Sequence, residues 1–446
     1  MCAKVWYYYF RWWILKRLLM NKLIEWKNSK YRKPLILRGA RQVGKTYLLK
    51  EFARDYYEDM AYFNFDHDEA LRELFLNTKD PKRIIEQLSF VVGKKIKPGA
   101  TLIIFDEVQE CPNALNSLKY FEEETPEYHI VAAGSLLGIK LSHTSFPVGK
   151  IDYLTLYPMT FSEFLLADGK ENLVEYMKSL KEIKEIPKIF EEQLIEQLKK
   201  YYIIGGMPEV VNSWVNDKDI ERVNYLQKKI LLAYKDDFSK HLTANEAIKV
   251  AIVWDGIPSQ LAKDNKKFVY QTIKEGARAR EYESALNWLN DANLVYKCYN
   301  LNKCAFPLTS YNDLSAFKIY LLDVGLLRRM TDLDSNIIIE GDRLFEEFKG
   351  SFTENFVCSM LSNKFNTDLH YYTFDRKRVD FVIQYKNNVI PIEVKAGNST
   401  NNNSLTRFNK ENDNKVSIRL SLNNLKKDGK IINIPLYLVE YIDNFI

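Results

Sequence analysis

Little in this chain of 446 residues marks it for export, membrane passage or disulfide cross-linking. Its cysteines, Cys2, Cys111, Cys298, Cys304 and Cys358, follow neither metal-ligand spacing nor a disulfide pattern. A reducing cytoplasm is the setting that suits them. Long apolar runs are also missing. The aromatic stretch MCAKVWYYYFRWWILKRLL is broken by Arg11 and is too short to cross a bilayer. No small-residue cleavage site follows it, which argues against a signal peptide. Its Trp, Tyr, Lys and Arg content would suit an interfacial anchor, but a leader over residues 1–19 is the preferred reading, and no membrane partner is expected. Neither sign of charge dominates, with 64 basic against 59 acidic residues and a net charge of +5. That balance admits a polyanionic partner without requiring one. There is no internal repeat, and NSTNNNS (398–404) is the one low-complexity tract, read as a loop.

What is present is an ordinary globular composition, 46% hydrophobic and 28% charged, over a length that predicts several domains. From Pro34 to about Leu166, short apolar runs (PLILR, AYFNFD, TLIIFD, HIVAAG, DYLTL) alternate with polar helical stretches. That alternation predicts a parallel sheet with crossover helices. The pattern turns helical over 170–256. Residues 257–335 then read as helix, helix, strand, in the manner of a winged helix. A final mixture of one helix and several strands occupies 336–446. The fold class is therefore α/β: a P-loop parallel-sheet core over 20–169, then helical and winged-helix segments, then an α/β C-terminal domain.

Gly39-Ala40-Arg41-Gln42-Val43-Gly44-Lys45-Thr46 fits G-x-x-x-x-G-K-[ST] between an apolar strand and an amphipathic helix. The chemistry needs that context. The glycines let the backbone curl, so that its N–H groups and the helix N-terminus face phosphate oxygens. Lys45 then reaches the β- and γ-phosphates of ATP, and the Thr46 hydroxyl meets Mg²⁺. Leu-Ile-Ile-Phe (102–105) is a buried strand ending in Asp106-Glu107. Asp106 reads as the metal-side acid and Glu107 as the base that orients an attacking water. Ser135, at the end of the following strand, is a candidate sensor of the γ-phosphate.

LILRGARQVGKTYLLKEF, LIIFDEVQECP, AAGSLLG, FPVGKIDYLTLYPMTFSEFL and YYIIGGMPEVV appear in that order. Together they resemble bacterial and archaeal AAA-family ATPases with a C-terminal domain of unknown function, DUF4143. The resemblance implies an extended AAA-type core with the additional-strand glutamate arrangement. Many members have Arg where this chain has Lys150, which puts an arginine-finger role there in doubt. Gly205 and Gly206 read as a helix C-cap or a tight contact, and Asp323 as a capping acid.

In the winged segment the second helix, 278–291, begins with two arginines, but Glu281, Glu283 and Asp291 would repel phosphate. Tyr282, Leu286 and Leu289 are spaced to pack inward, so a packing or lid role is preferred to sequence-specific recognition.

Near the C-terminus, VDFVIQYKNNVIPIEVKA (379–396) reads as a hairpin interrupted by Asp380, Glu393 and Lys395. With Asn387-Asn388 at the turn, Asp380 pairs with Lys395 and Glu393 lies diagonal to Asp380 on one face. Two carboxylates that close call for a cation. Mg²⁺ or Mn²⁺ on Asp380 and Glu393 is the candidate, with Lys395 steadying a water or the charge on a phosphodiester. The layout resembles PD-(D/E)XK nucleases, and that resemblance implies a further acid on an upstream helix, where Glu354 stands. Arg376, Lys377 and Arg378 are placed to grip a nucleic-acid backbone. The plainer alternative is a cross-strand ion pair between Asp380 and Lys395.

Two functions follow. One is an ATP-hydrolysing protein whose C-terminal domain binds or cleaves nucleic acid, DNA before RNA, with a divalent metal. The other is an ATP-switched adaptor with an inactive nuclease-like domain. A homo-oligomer is compatible with either.

Overall fold

A computed structural model describes residues 15–66, 68–135, 149–263, 267–333, 349–375, 377–397, 403–412 and 414–446. Two compact units account for the chain. One is Arg17–Tyr157 with 291–293, and the other is essentially everything from Pro158 onward.

The first unit is a five-stranded parallel sheet in the order β2-β3-β4-β1-β5. Its strands are β1 (Leu35–Arg38), β2 (Asp59–Asn64), β3 (Thr101–Asp106), β4 (His129–Ala133) and β5 (Asp152–Thr155). All five apolar runs of the sequence are strands. The β3 residues are buried throughout, as expected for a parallel strand covered on both faces. Helices α1 (Leu19–Asn28), α2 (Lys45–Tyr56), α3 (Glu69–Asn77), α4 (Pro81–Val91) and α5 (Pro112–Glu124) complete the unit. The start of α4 is fixed locally: Asp80 accepts from the Lys82 amide at 2.9 Å and Pro81 occupies the first turn. Phe65, Phe75 and Phe105 pack edge to face at 5.5–5.6 Å in the core between helices and sheet.

The leader expected over 1–19 falls mostly on residues outside those described, 1–14. Arg17 is buried and its guanidinium donates to the Val43 carbonyl at 2.7 Å and the Tyr157 carbonyl at 2.6 Å.

In the second unit, the helices Lys188–Ile204 and Ile220–His241 are the longest of the helical region. An eight-stranded mixed sheet follows, in the order β12-β13-β11-β10-β9-β8-β6-β7. Its strands are β6 (Val295–Leu301), β7 (Asn312–Leu321), β8 (His370–Phe374), β9 (Lys377–Tyr385), β10 (Asn388–Val394), β11 (Ser417–Ser421), β12 (Lys426–Asp428) and β13 (Ile431–Pro435). The helix Ala279–Asp291 buries Tyr282, Leu286 and Leu289 as the spacing predicts. The strand after it does not form a separate wing. β6 pairs antiparallel with β7 and parallel with β8, so it is part of the C-terminal sheet.

Gly205 ends the helix Lys188–Ile204 at φ 74°, where an added Cβ would lie 2.2 Å from Asp323. Asp323 caps the helix Val324–Met330 through the Leu326 amide at 2.9 Å and also accepts from the Gly206 amide at 2.6 Å. Burial pushes its carboxyl up to about 6.

Candidate functional site

The phosphate loop leaves the carboxyl end of β1, which lies between β4 and β5. Gly39 has φ 148° and an added Cβ would sit 2.2 Å from the Leu156 carbonyl oxygen, so only glycine fits. Gln42 at φ 65° and Gly44 at φ 91° then bring the chain into α2. Lys45 is buried and donates to the Gly39 and Ala40 carbonyls at 3.0 and 2.8 Å. Burial draws its ammonium down to about 8, against the pull of Glu107 and Asp106.

Neighbouring strands bring the two acids to the same edge. Asp106 is buried at the end of β3, and its Oδ2 accepts from the Thr46 hydroxyl at 2.7 Å and the Tyr62 hydroxyl at 2.8 Å. Tyr62 comes from β2 and has the Lys50 ammonium 3.9 Å from its ring centre. The hydroxyl and carboxylate are the hard oxygen donors that Mg²⁺ prefers, so Thr46 and Asp106 fit that ion. Glu107 adopts the left-handed conformation at φ 49°, and its Oε2 accepts from Gln109 Nε2 at 2.5 Å. Gln109 is itself buried. Ser135 is buried just beyond β4, on the same edge of the sheet. Lys150 forms ion pairs with Glu122 at 3.0 Å and Glu123 at 3.2 Å. Tyr62 and Gln109 are not evident from the sequence. Their only signal is position, one on the strand beside β3 and the other two residues past Glu107.

The C-terminal residues also converge, but in a different register. Lys386 and Asn387 form the turn, Lys386 with φ 51°, and Asn388 pairs with Tyr385. Ile392 pairs with Phe381, so the next step sets Asp380 opposite Glu393 rather than Lys395. The two-residue shift preserves alternation, and the two acids stay on one face. Glu354 reaches them from the helix Lys349–Phe365, in which Phe356 and Val357 are fully buried. Asn355 anchors that helix by accepting from the Leu321 amide at 2.7 Å and donating to its carbonyl at 3.1 Å.

Each carboxylate is met by groups of the protein itself. Glu354 Oε2 accepts from the Tyr320 hydroxyl at 2.8 Å and lies 3.4 Å from the Lys318 ammonium. Asp380 Oδ1 lies 3.8 Å from Lys318 Nζ and 3.5 Å from Arg378 Nε, and Oδ2 accepts from the Val394 amide at 3.0 Å. Glu393 Oε1 accepts from Lys395 at 2.6 Å, while its buried Oε2 has no hydrogen-bond partner. Burial first, then the Asp380 charge, pushes the Glu393 carboxyl up to about 7. A pocket of about 640 Å³ is lined by Glu354, Lys377, Arg378, Asp380, Glu393 and Lys395, among others. Arg376 lies outside the described residues. Among the described residues, no three His, Cys, Asp or Glu side chains are grouped to hold a metal ion. Glu354, the further acid expected on the upstream helix, is held by Tyr320 and Lys318.

Three family models match successive stretches of the chain. The AAA domain family matches residues 31–165. Two domains of unknown function follow, DUF8612 over 195–336 and DUF4143 over 349–438. The first unit has the P-loop ATPase fold. No curated protein matches the chain in sequence. Among solved structures, a Walker-type ATPase of Pyrococcus abyssi is similar over 71% of this chain and 96% of its own, at 14% identity and a TM-score of 0.45. The Aeropyrum pernix Orc1 protein, solved in complex with DNA, is similar over 72% and 96%, at 12% identity and a TM-score of 0.29. The Thermotoga maritima RuvB Holliday junction branch migration motor is similar over 63% and 89%, at 14% identity and a TM-score of 0.30. No helix among the described residues is long and apolar enough to cross a membrane.

Proposed function

We propose that the chain binds and hydrolyses ATP at the P-loop, using Mg²⁺ held by Thr46 and Asp106. The observation that carries this reading is the shared Asp106 Oδ2, on which the Thr46 and Tyr62 hydroxyls meet at 2.7 and 2.8 Å. Mg²⁺, once bound with ATP, neutralises charge on the β- and γ-phosphate oxygens. The chain supplies the rest. The loop amides and the α2 N-terminus cradle the phosphates, and Lys45 leaves its two carbonyl partners for the β- and γ-oxygens. Glu107 orients the water for in-line attack, and Ser135 reads the γ-phosphate from the end of β4. Phosphate release from ATP by the wild type, lost in Lys45→Ala and Glu107→Gln, is the test. Equal turnover in all three proteins would end this reading.

For the C-terminal pocket, nucleic acid is the proposed ligand, DNA before RNA, with Lys377, Arg378 and Lys395 meeting the backbone. Glu354, Asp380, Glu393 and Lys395 are the residues for divalent-metal cleavage in the nuclease reading. The second reading, ATP-switched binding without cleavage, is favoured by the buried Lys318 ammonium among those acids. Cutting of circular DNA in Mg²⁺ or Mn²⁺, abolished by Glu393→Gln, would decide for the nuclease. The cytoplasm is the proposed location.

A further inference from the structure

Lys318 interrupts the apolar run of β7, and its side chain is fully buried. A buried ammonium persists only when charge and contacts replace its water. Here Glu354 and Asp380 supply charge at 3.4 and 3.8 Å, and the Tyr371 ring centre lies 5.0 Å away. Lys318 thus stands against Glu354 and against Asp380, one of the two carboxylates that a divalent cation would need.

We propose that Lys318 is a built-in counter-cation occupying the place of a divalent metal, so that the pocket binds a phosphodiester backbone without metal and without cutting it. The identity of the ligand rests on the nucleic-acid reading above; the assignment of the cation does not.

The oxygen inventory supports it. Asp380 commits one oxygen to the Val394 amide and turns the other toward Lys318 and Arg378. Glu354 Oε2 is taken by Tyr320 and Lys318, and Glu393 Oε1 by Lys395. Glu393 Oε2 has no hydrogen-bond partner. Mg²⁺ demands near-octahedral oxygen coordination and sheds water reluctantly. To gain Asp380 as well as Glu393, it would have to displace a cation that is buried and already paired. Charge points the same way. In the lining, Lys377, Arg378 and Lys395 already match Glu354, Asp380 and Glu393 in number, and the buried Lys318 behind them adds a further positive charge, which suits the site to a phosphate rather than to a second cation.

The test uses the full, nucleotide-free chain. Mn²⁺ uptake is followed by electron paramagnetic resonance of the free ion. Binding of a short fluorescein-labelled oligodeoxynucleotide is followed by anisotropy in EDTA and in Mn²⁺, and its length is checked on a gel. The expected wild type takes up no Mn²⁺ that Glu393→Gln removes, binds the oligonucleotide equally in EDTA and Mn²⁺, and leaves it intact. Lys377→Ser with Lys395→Ser weakens that binding about tenfold. Lys318→Met gains one Mn²⁺ per chain, a change that loss of a purely structural lysine would not produce. Wild-type Mn²⁺ uptake that disappears in Glu393→Gln, DNA binding that needs Mn²⁺, or metal-dependent cutting would each overturn the proposal. If Lys318→Met fails to fold, the wild-type and Glu393→Gln titrations decide alone. Absence of DNA binding under every condition removes the phosphodiester ligand and the nucleic-acid reading together. The Mn²⁺ titration still decides the cation independently of that result.

Discussion

The two acidic sites of this chain use similar carboxylates and treat them in opposite ways. At the P-loop, Asp106 and Glu107 are met by neutral donors, the hydroxyls of Thr46 and Tyr62 and the amide of Gln109. In the C-terminal sheet, Glu354, Asp380 and Glu393 are met by Lys318, Arg378 and Lys395. Neutral donors orient a carboxylate and leave its charge for an incoming cation. Cationic donors cancel that charge in advance. Acid residues at the right spacing therefore do not by themselves make a metal site, because the partners decide.

The contrast can be broken first at the base. Glu107→Gln should lower ATP turnover about 10³-fold with nucleotide binding retained, measured by phosphate release and by equilibrium binding. A mild fall would show that Glu107 does not orient the water. Next comes the counter-cation. Lys318→Met leaves two buried carboxylates facing each other and should cost about 3 kcal/mol in urea unfolding, with part of the loss recovered when Glu354→Gln is added. Additive losses would mean that Lys318 and Glu354 do not interact.

Proton linkage offers a smaller effect. Glu393 has its folded-state pKa raised to about 7, so the folded chain holds this proton more tightly than the unfolded one. Its contribution is fully present below about pH 4.5 and is lost as pH rises through 7. Wild-type stability should therefore fall by about 2 kcal/mol more than that of Glu393→Gln between pH 5 and 8. Parallel pH profiles of the two proteins would contradict this. The smallest expected effect is that of Tyr62→Phe. Loss of one hydroxyl on Asp106 should cost about 1 kcal/mol, seen as a roughly fivefold higher Mg²⁺ requirement at similar maximal turnover.

Sequence pattern carries the P-loop unit almost whole. Its strands are short apolar runs, and the G-x-x-x-x-G-K-[ST] spacing is local, so no distant contact is needed to read them. The face shared by Asp380 and Glu393 is also legible, because alternation survives a two-residue shift. The register itself is not. Asn387 and Asn388 look like the turn pair, yet Lys386 takes the positive φ and moves the pairing by two. Lys318 is hidden for another reason. One lysine within FKIYLL has no partner in sequence, and the acids it serves lie 36 and 62 positions further on. The wing is misleading because a helix followed by a strand looks the same whether that strand ends a small domain or joins a larger sheet.

Arg17 has a mechanical consequence. Its guanidinium grips the carbonyl of Val43, inside the phosphate loop, and that of Tyr157, where the first unit ends. Tension on the chain at either end of this unit would thus be felt at the loop through a single side chain. A fragment trimmed to begin at Met20 would keep every strand of the sheet and lose the clasp.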